Sequence, residues 1–362
     1  MTMCNDKYKS DKGKTNLISK IKYTELFNID GLNKSFGKIT SNKTESNFSF
    51  KNQSIANNIL IYIDKSFLSS KNYFIIKPIN LYQGLGIKVT NSIDEIVSQA
   101  HVLFGGMEKV TSEMEEYNKA HPDKKLKTKI YKTTNILIQK YLDNPLTYYG
   151  RKFDIRCFVL VDHCLNVYMC REGHLKACSE NYTLDNLNQF AHITNYSLQK
   201  HCENFSKFEY ANEISYKQFK ECLMKNGNDP EVVFPQIIEK MKDLIEVSMN
   251  CAGNKLMPHK NTLSFQIFGY DFIIDNNFKP WILEINYNPG LQISSQVIEN
   301  IIPRMIDDAF RLTIDTIFET EYDSDCVETN AFKYKSPYHV DGYTDDENIF
   351  EFVCNINKDP FS

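Results

Sequence analysis

Two apolar runs separated by a short polar turn make up residues 268–286, FGYDFIIDNNFKPWILEIN. This pattern predicts a β-hairpin that turns at Asn276–Asn277 and sets Asp271 opposite Ile282. Side chains alternate between the two faces of a sheet, so one face of the hairpin is expected to be core. The predicted core face consists of Phe272, Ile274, Trp281, Leu283 and Ile285. The opposite face consists of Asp271, Glu284 and Asn286.

These three polar residues are candidate metal ligands. Two carboxylates that converge on a half-buried surface repel each other unless a cation lies between them. Carboxylate and amide oxygens suit a hard cation such as Mg²⁺. A polar face turned towards solvent explains the same pattern, and this stretch alone leaves both interpretations open.

A second stretch, RKFDIRCFVLV at 151–161, has the same two-faced pattern and favours the functional interpretation. As a strand it places Lys152, Asp154 and Arg156 in a row on one face. Two cations that flank a carboxylate suit a site that handles phosphates and carboxylates, because Arg binds anions with a planar fork and Lys with a point charge. The alternative is an edge strand that carries charges against aggregation.

Two further segments are candidate nucleotide contacts. Lys77 follows an apolar run, and Gly84 and Gly86 lie in a short turn where backbone N–H groups could approach phosphate oxygens. The segment has neither the Walker pattern nor the dinucleotide-binding fingerprint. In ILIQKYLDNP an apolar run passes into a linker that could bind a base edge, although it could equally be a strand end before Pro145. The residues of that linker are Gln139, Lys140, Tyr141 and Leu142.

The remaining pattern predicts the fold class. A helix is expected from Ser92 to about Phe104, a helical region from about Ser215 to Cys251 and another from Ser294 to Phe318. The runs on either side of DHCLN, residues 162–166, predict a hairpin. Hairpins that alternate irregularly with helices indicate an α+β fold with antiparallel or mixed sheets.

Composition narrows the function classes. With 362 residues, 42% hydrophobic and 24% charged, the chain is expected to fold as two or three globular subdomains. No stretch reaches the roughly 18 to 20 apolar residues of a membrane span, and the polar start resembles no signal peptide, so we expect a cytoplasmic protein without disulfides. Zinc ligation by His163, His192 or His201 with a nearby Cys is only weakly indicated, because no spacing matches a known zinc site.

Charge is distributed unevenly although the net charge is only −4. Residues 1–60 contain twice as many lysines as acidic residues, and the last forty or so residues are strongly acidic. Neither end suggests a nucleic acid partner, and both are expected to be solvated and poorly ordered. The lysine-rich loop at residues 124–129 could attract an acidic peptide, although a solvated loop explains it as well.

Taken together, these segments resemble the tubulin–tyrosine ligase family, which has the ATP-grasp fold. The matching phrases occur in order between about residues 72 and 320: IIKP with QGLGI, QKYLDNPL, GRKFDIRCFVLVD, REG, HITNYSLQK, and FGYDF leading into KPWILEINYNP. The resemblance implies two α+β lobes that sandwich ATP. Residues 71–143 would form the central, nucleotide-lid lobe and 144–320 the C-terminal catalytic lobe. A basic region at 1–70 and an acidic tail at 321–362 would flank them.

The resemblance also implies site residues. Lys77 and Lys140 would contact ATP, together with the turn Gln83, Gly84, Gly86 and Ile87, while Gln139, Tyr141 and Leu142 frame adenine. Asp271, Glu284 and Asn286 match magnesium ligands. Residues matching the phosphate and acceptor region are Lys152, Asp154, Arg156 and Arg171, with Thr194 and Asn195 of the H-x-T-N element.

The implied reaction is ligation of a free amino acid to a carboxylate of the tubulin C-terminal tail, with α-tubulin favoured, through an acylphosphate. The sequence REG, with Arg171 ahead of Gly173, and the compact length of the chain resemble the tyrosine ligase more than the glutamate ligases. Tyrosine is therefore the preferred amino acid, with glutamate and glycine as alternatives. A tubulin-binding protein with an inactive site and a ligase with another acceptor are the further hypotheses. The family also implies the microtubule cytoskeleton as the location, with the cilium or basal body as a narrower alternative.

Overall fold

A computed structural model describes residues 72–109, 119, 129–256, 263–318 and 335–356. The chain divides into two compact units, the first formed by Met1–Asp143 with Leu184–Gln189 and the second by Asn144–Thr183 with Phe190–Ser362. The predicted region at 1–70, most of the lysine-rich loop and the first part of the acidic tail lie outside the described residues.

The first unit contains a three-stranded antiparallel sheet covered by one helix. Alternation in FIIKP turns Phe74 and Ile76 inward, against Ile96 and Leu103 of the helix. The predicted helix is confirmed: Ser92 is its N-cap and its side chain accepts from the Glu95 backbone N–H. Along the chain the elements are β1 (Phe74–Pro78), β2 (Lys88–Thr90), α1 (Ile93–Gly105), β3 (Met107–Lys109), β4 (Lys129–Tyr131) and β5 (Ile136–Lys140). The sheet order is β2-β1-β5, and β3 pairs with β4 separately.

The second unit is built on a seven-stranded sheet with antiparallel pairing. Its main path is β11-β10-β7-β8-β12, with β6 joined to β7 and β9 to β8. The strands are β6 (Thr147–Tyr148), β7 (Arg151–Val161), β8 (Asn166–Asn181), β9 (Glu213–Ser215), β10 (Gln266–Ile274), β11 (Pro280–Asn286) and β12 (Phe350–Asn355). The predicted β7–β8 hairpin and the α+β class with antiparallel sheets are confirmed.

Helices cover both faces of this sheet. Phe153, Ile155, Cys157 and Val159 of β7 lie in one core, with residues of α4 and α5. On the reverse face, Phe158 and Leu160 pack with Ile302 and Met305 of α6. The helices are α2 (Gln189–His192), α3 (Tyr196–Gln199), α4 (Tyr216–Lys225), α5 (Pro230–Leu256) and α6 (Gln296–Thr313), and a 3₁₀ turn spans Tyr210–Asn212.

The helical region predicted from Ser215 to Cys251 is two helices. The break follows from local chemistry, because Gly227 has φ of 80° and Pro230 begins the second helix. Ser215 caps α4 through a capping box with Gln218. None of the described helices is long and apolar enough to cross a membrane.

The β10–β11 hairpin forms as predicted, but its register differs. Asp271 pairs with Glu284 and not with Ile282, because a bulge between Asp271 and Phe272 leaves Leu283 without a partner position. Asp271, Glu284 and Asn286 still share a face, but beyond the bulge the alternation of β11 is reversed. Trp281 is therefore 43% exposed, as is Ile285 at the sheet edge, and Ile282 packs against the core instead. Placing Trp281 and Ile285 in the core was wrong.

Candidate active site

One face of the second unit's sheet carries the charged residues of four strands. Strand pairing places Asp154 beside Lys176 and Lys176 beside Glu213, on β7, β8 and β9. In the neighbouring row Arg156 lies between Asp271 of β10 and His174 of β8. Paired residues point to the same face, so the rows form a continuous polar surface. The predicted row of Lys152, Asp154 and Arg156 is part of it.

Asp271 is the centre of this cluster. Its two oxygens accept from Arg156, Nε at 2.7 Å and Nη2 at 2.8 Å, in a bidentate pair. Lys176 Nζ lies 3.0 Å from Asp271 Oδ1 and 2.9 Å from Asp154 Oδ1. Both aspartates are buried. Two cations thus hold together two carboxylates that would otherwise repel each other.

Two residues of the segment that follows β8 hold the side chains of Asp154 and Lys152 in place. The Thr194 hydroxyl donates to Asp154 Oδ2. Lys152 Nζ donates to the backbone oxygen of His192 at 2.7 Å. Asn195 is the residue before α3 and is partly exposed. The H-x-T-N element therefore contacts the charged row of β7, and its role at the phosphate and acceptor region stays a prediction.

The three predicted metal ligands converge. Asn286 Nδ2 donates to Asp271 Oδ2 at 3.2 Å and to Glu284 Oε1 at 3.1 Å, so a single amide nitrogen lies between the two carboxylates. An Asn side chain can present its oxygen at the same place after an amide flip, and the donor set is one that Mg²⁺ prefers. The residues present therefore fit a magnesium ion, although Asp271 would have to share its oxygens with the cations beside it.

Burial and neighbouring charge shift the pKa values in this cluster. Burial opposes ionisation of Asp271, but Lys176 and Arg156 outweigh it and hold its pKa well below the usual range. Burial also dominates at Asp154, and its pKa is raised although Lys176 favours the charged form. Burial and the charge of Asp271 raise the pKa of Glu284. The site thus holds carboxylates with opposite tendencies to bind a proton.

Lys176 is a residue of this cluster that was not predicted from the sequence. It lies five residues beyond Arg171, the cation chosen on β8, and alternation places it on the same face as His174. Among the described residues, Arg171 contacts two residues that precede β12: Nη2 donates to Glu347 Oε1 at 2.6 Å and to Asn348 O at 2.7 Å. The cation beside the aspartates is Lys176. The catalytic assignment of Arg171 stays a prediction.

The residues predicted to bind the nucleotide lie in the first unit. Gln83, Gly84 and Gly86 have positive φ values of 63°, 75° and 77°, and this turn leads to Ile87 just before β2. Lys77 is on β1, and Gln139 and Lys140 end β5, with Tyr141 and Leu142 directly after. Gln139 Oε1 is buried without a hydrogen-bond partner among the described residues, which suits an acceptor kept for a ligand. Burial lowers the pKa of Lys140.

Comparison with known proteins gives one family match and several relatives. A family model described as the tubulin-tyrosine ligase family matches residues 17–323. "Tubulin glycylase 3B" of Tetrahymena thermophila is 29% identical over 270 residues, which is 73% of this chain and 20% of the relative. "Tubulin polyglutamylase TTLL5" of Mus musculus is 32% identical over 190 residues, 49% of this chain and 14% of the relative. "Tubulin monoglycylase TTLL3" of Homo sapiens is 30% identical over 209 residues, 56% of this chain and 26% of the relative. The matched part is about a quarter or less of each of these three relatives.

Proposed function

Because this chain belongs to the tubulin-tyrosine ligase family, we propose that it is an ATP-dependent ligase that joins glycine or glutamate to a carboxylate of a tubulin C-terminal tail. The relatives named above are glycylases and a polyglutamylase, and they favour these amino acids over the tyrosine preferred from the sequence. The microtubule cytoskeleton is the corresponding place of action.

The observation that carries the proposal is the cluster around Asp271. Carboxylate–amine ligation needs cations next to the transferring phosphoryl group and a fixed set of oxygens for a divalent ion. Arg156 and Lys176 supply the cations, both within 3.0 Å of Asp271 oxygens. Asp271, Glu284 and Asn286 would hold the magnesium ion, which when bound would neutralise phosphate charge.

The reaction itself asks the protein mainly for positioning. A carboxylate oxygen of the acceptor attacks the γ-phosphorus of ATP, the bond to the β,γ-bridging oxygen breaks, and ADP leaves. The amine of the amino acid then attacks the acylphosphate carbon, an amide forms, phosphate leaves and the amine loses a proton. Lys152, Arg156 and Lys176 stabilise the negative charge that develops on the phosphoryl oxygens.

Asp154 is the proposed acceptor of the amine's proton. Burial raises its pKa, so it binds a proton more readily than an ordinary aspartate does. The Thr194 hydroxyl and Lys176 fix the orientation of its two oxygens. In the first unit, Lys77 and Lys140 are the proposed phosphate contacts, and Gln139, Tyr141 and Leu142 the adenine contacts.

Incubation of the purified chain with tubulin, ATP and magnesium, and with labelled glycine, glutamate or tyrosine in separate reactions, tests the proposal. We expect ATP-dependent label in tubulin with glycine or glutamate. Incorporation of tyrosine alone would refute the amino acid assignment. The alternative of a tubulin-binding protein with an inactive site predicts co-sedimentation with microtubules and no label in any reaction.

A further inference from the structure

The segment Tyr287–Ser295, here termed the anchored segment, begins directly after the proposed metal ligand Asn286. It is held at three points in the second unit. Gln266 Nε2 donates to Tyr287 O at 2.6 Å. Pro289 is buried over Gly269, where an added Cβ would lie 2.9 Å from the proline Cβ. Its last two residues, both serines, form the third contact.

Glu213 makes that third contact. Ser294 Oγ donates to Glu213 Oε1 at 2.9 Å, and Ser295 Oγ donates to Oε2. Ser295 is also the N-cap of α6, since its oxygen accepts from the Ile298 backbone N–H at 3.3 Å. Glu213 is only 7% exposed, and strand pairing places it beside Lys176 on the charged face. One buried carboxylate therefore connects the charged face to the end of the anchored segment.

Between its fixed points the anchored segment presents side chains to solvent. Tyr287 is 72% exposed and Ile293 is 57% exposed. Asn288 and Gln292 are exposed as well. Large apolar side chains held out by a fixed backbone are typical of a binding surface, because their contacts with a partner cost little ordering of the chain.

We propose that the anchored segment binds the acceptor peptide, and that Glu213 is a positioning residue that sets the segment in place. An extended peptide can form hydrogen bonds to Asn288 and Gln292 through its backbone and can pack its side chains on Tyr287 and Ile293. Free glycine has no side chain for such contacts. Arg156 Nη1 and Pro289 Cβ lie 3.1 Å and 2.9 Å from the same point, the Cβ position of Gly269, so a peptide on the anchored segment lies beside a guanidinium of the charged face, which suits an acidic side chain. This inference rests on the proposed function for the identity of the peptide, a tubulin C-terminal tail.

The test is binding of a fluorescein-labelled synthetic tubulin tail peptide to the full chain, followed by anisotropy without ATP, so that it does not depend on turnover. Glu213→Ala, Tyr287→Ala and Ile293→Ala should each weaken binding about tenfold. Glu213→Gln should bind like the wild type, because its amide accepts from one serine and donates to the other. Glu209→Ala is the matched control: like Glu213, Glu209 is a carboxylate with little exposure that holds a neighbouring segment, here through Arg151 at 2.7 Å.

Steady-state kinetics separates positioning from loss of folding. In an active enzyme, Glu213→Ala should raise KM for tubulin about tenfold and leave KM for ATP and for the amino acid unchanged. Absence of peptide binding by the wild-type chain, or equal binding by Tyr287→Ala, Ile293→Ala and wild type, would overturn the inference. Peptide binding without ligation of any amino acid would instead refute the proposed function and leave this inference standing.

Discussion

At the residue scale, two carboxylates of the same cluster are expected to respond differently to neutralisation. Glu284 lies on an edge strand and reaches solvent, with Asn286 as its hydrogen-bond partner. Glu284→Gln should therefore abolish ATP-dependent ligation and leave the free energy of unfolding almost unchanged. Label incorporation and urea unfolding measure the two effects, with exposed Glu221→Gln as the control. Near-normal turnover of Glu284→Gln would refute the metal assignment.

Asp271 is expected to behave as a structural residue as well. Asp271→Asn removes a buried charge that neutralises Arg156 and Lys176, so we expect a loss of about 3–5 kcal/mol in the free energy of unfolding. Any remaining ligation should need more magnesium. Urea unfolding and a magnesium titration of activity check both effects, and unchanged stability together with unchanged magnesium dependence would contradict the shared site.

Substitutions can distinguish the catalytic roles of the two cations of β8. Lys176 contacts both aspartates of the cluster, whereas Arg171 contacts Glu347 and Asn348. Lys176→Met should lower kcat about 100-fold, the usual cost of one stabilising group in a transition state. Arg171→Met should retain most of the activity. The reverse outcome would restore the assignment of Arg171 that the resemblance implies.

His174 makes the stability of the fold depend on pH. Burial and the charges of Lys176 and Arg156 lower its pKa from 6.5 to about 3, so it stays neutral in the folded chain. Below pH of about 6.5 the unfolded chain binds a proton that the folded chain does not, and stability falls as the pH falls towards 3. Urea unfolding between pH 6.5 and 4 measures how the free energy of unfolding depends on pH. His174→Gln should weaken this dependence, whereas His201→Gln, at an exposed position, should leave it unchanged.

Most residues of the charged face on β7 could be predicted from the sequence because that strand has a regular two-residue period. Lys152, Asp154 and Arg156 lie in one unbroken run, and their reverse face is apolar throughout. Lys176 could not be found that way, since it lies among CREGHLKAC, where polar and apolar residues mix and a bulge shifts the pairing. The signal in the sequence was the two-residue spacing between His174 and Lys176, which places both side chains on one face of a strand.

At the element scale, the hairpin shows what periodicity leaves open. The existence of β10 and β11 follows from their apolar runs, but the bulge at Leu283 is determined by pairing within the sheet. It explains why Trp281, the chain's one tryptophan, points outward, where its Nε1 donates to Asp275 at 3.0 Å. The shared face of the proposed ligands survives because all three lie on the same side of that bulge.

Gly269 on β10 is required by the packing around it. A Cβ at this position would lie 2.9 Å from Pro289 Cβ and 3.1 Å from Arg156 Nη1. Gly269→Ala should cost about 1–3 kcal/mol of stability and displace Arg156 from Asp271, with a marked loss of kcat. Gly105→Ala, where a Cβ meets nothing within 4 Å, is the matched control. Thermal unfolding and ligation kinetics measure the effects, and normal kcat in Gly269→Ala would contradict this packing argument.

At the scale of the whole molecule, the prediction of solvated chain at the C-terminal end is wrong for residues 335–356. Residues 335–356 lie beyond the family match, and their acidic composition predicts solvated chain, yet Ile349 and Phe350 are buried and β12 pairs with β8. Composition averages over the segment and hides the short apolar run IFEFVC, which completes the sheet. Fold class could be predicted from pattern, whereas this long-range pairing could not.

The contacts of this segment with α6 give the last prediction. Arg304 is fully buried and donates to the backbone oxygens of Tyr338, Thr344 and Glu347 at 2.6–3.0 Å. In a chain that ends at residue 334, this guanidinium keeps Asp308 and loses these backbone partners, and the edge of β8 is uncovered. We therefore expect the truncated chain to be insoluble or, where it is soluble, to give the circular dichroism spectrum of an unfolded chain. Arg304→Met in the full chain should be destabilised by about 3–5 kcal/mol, because the carbonyl groups lose their donor, whereas Asp341→Asn, with its exposed side chain, should not. A truncated chain that folds with wild-type stability would show that the segment is an appendage to the second unit and no part of its core.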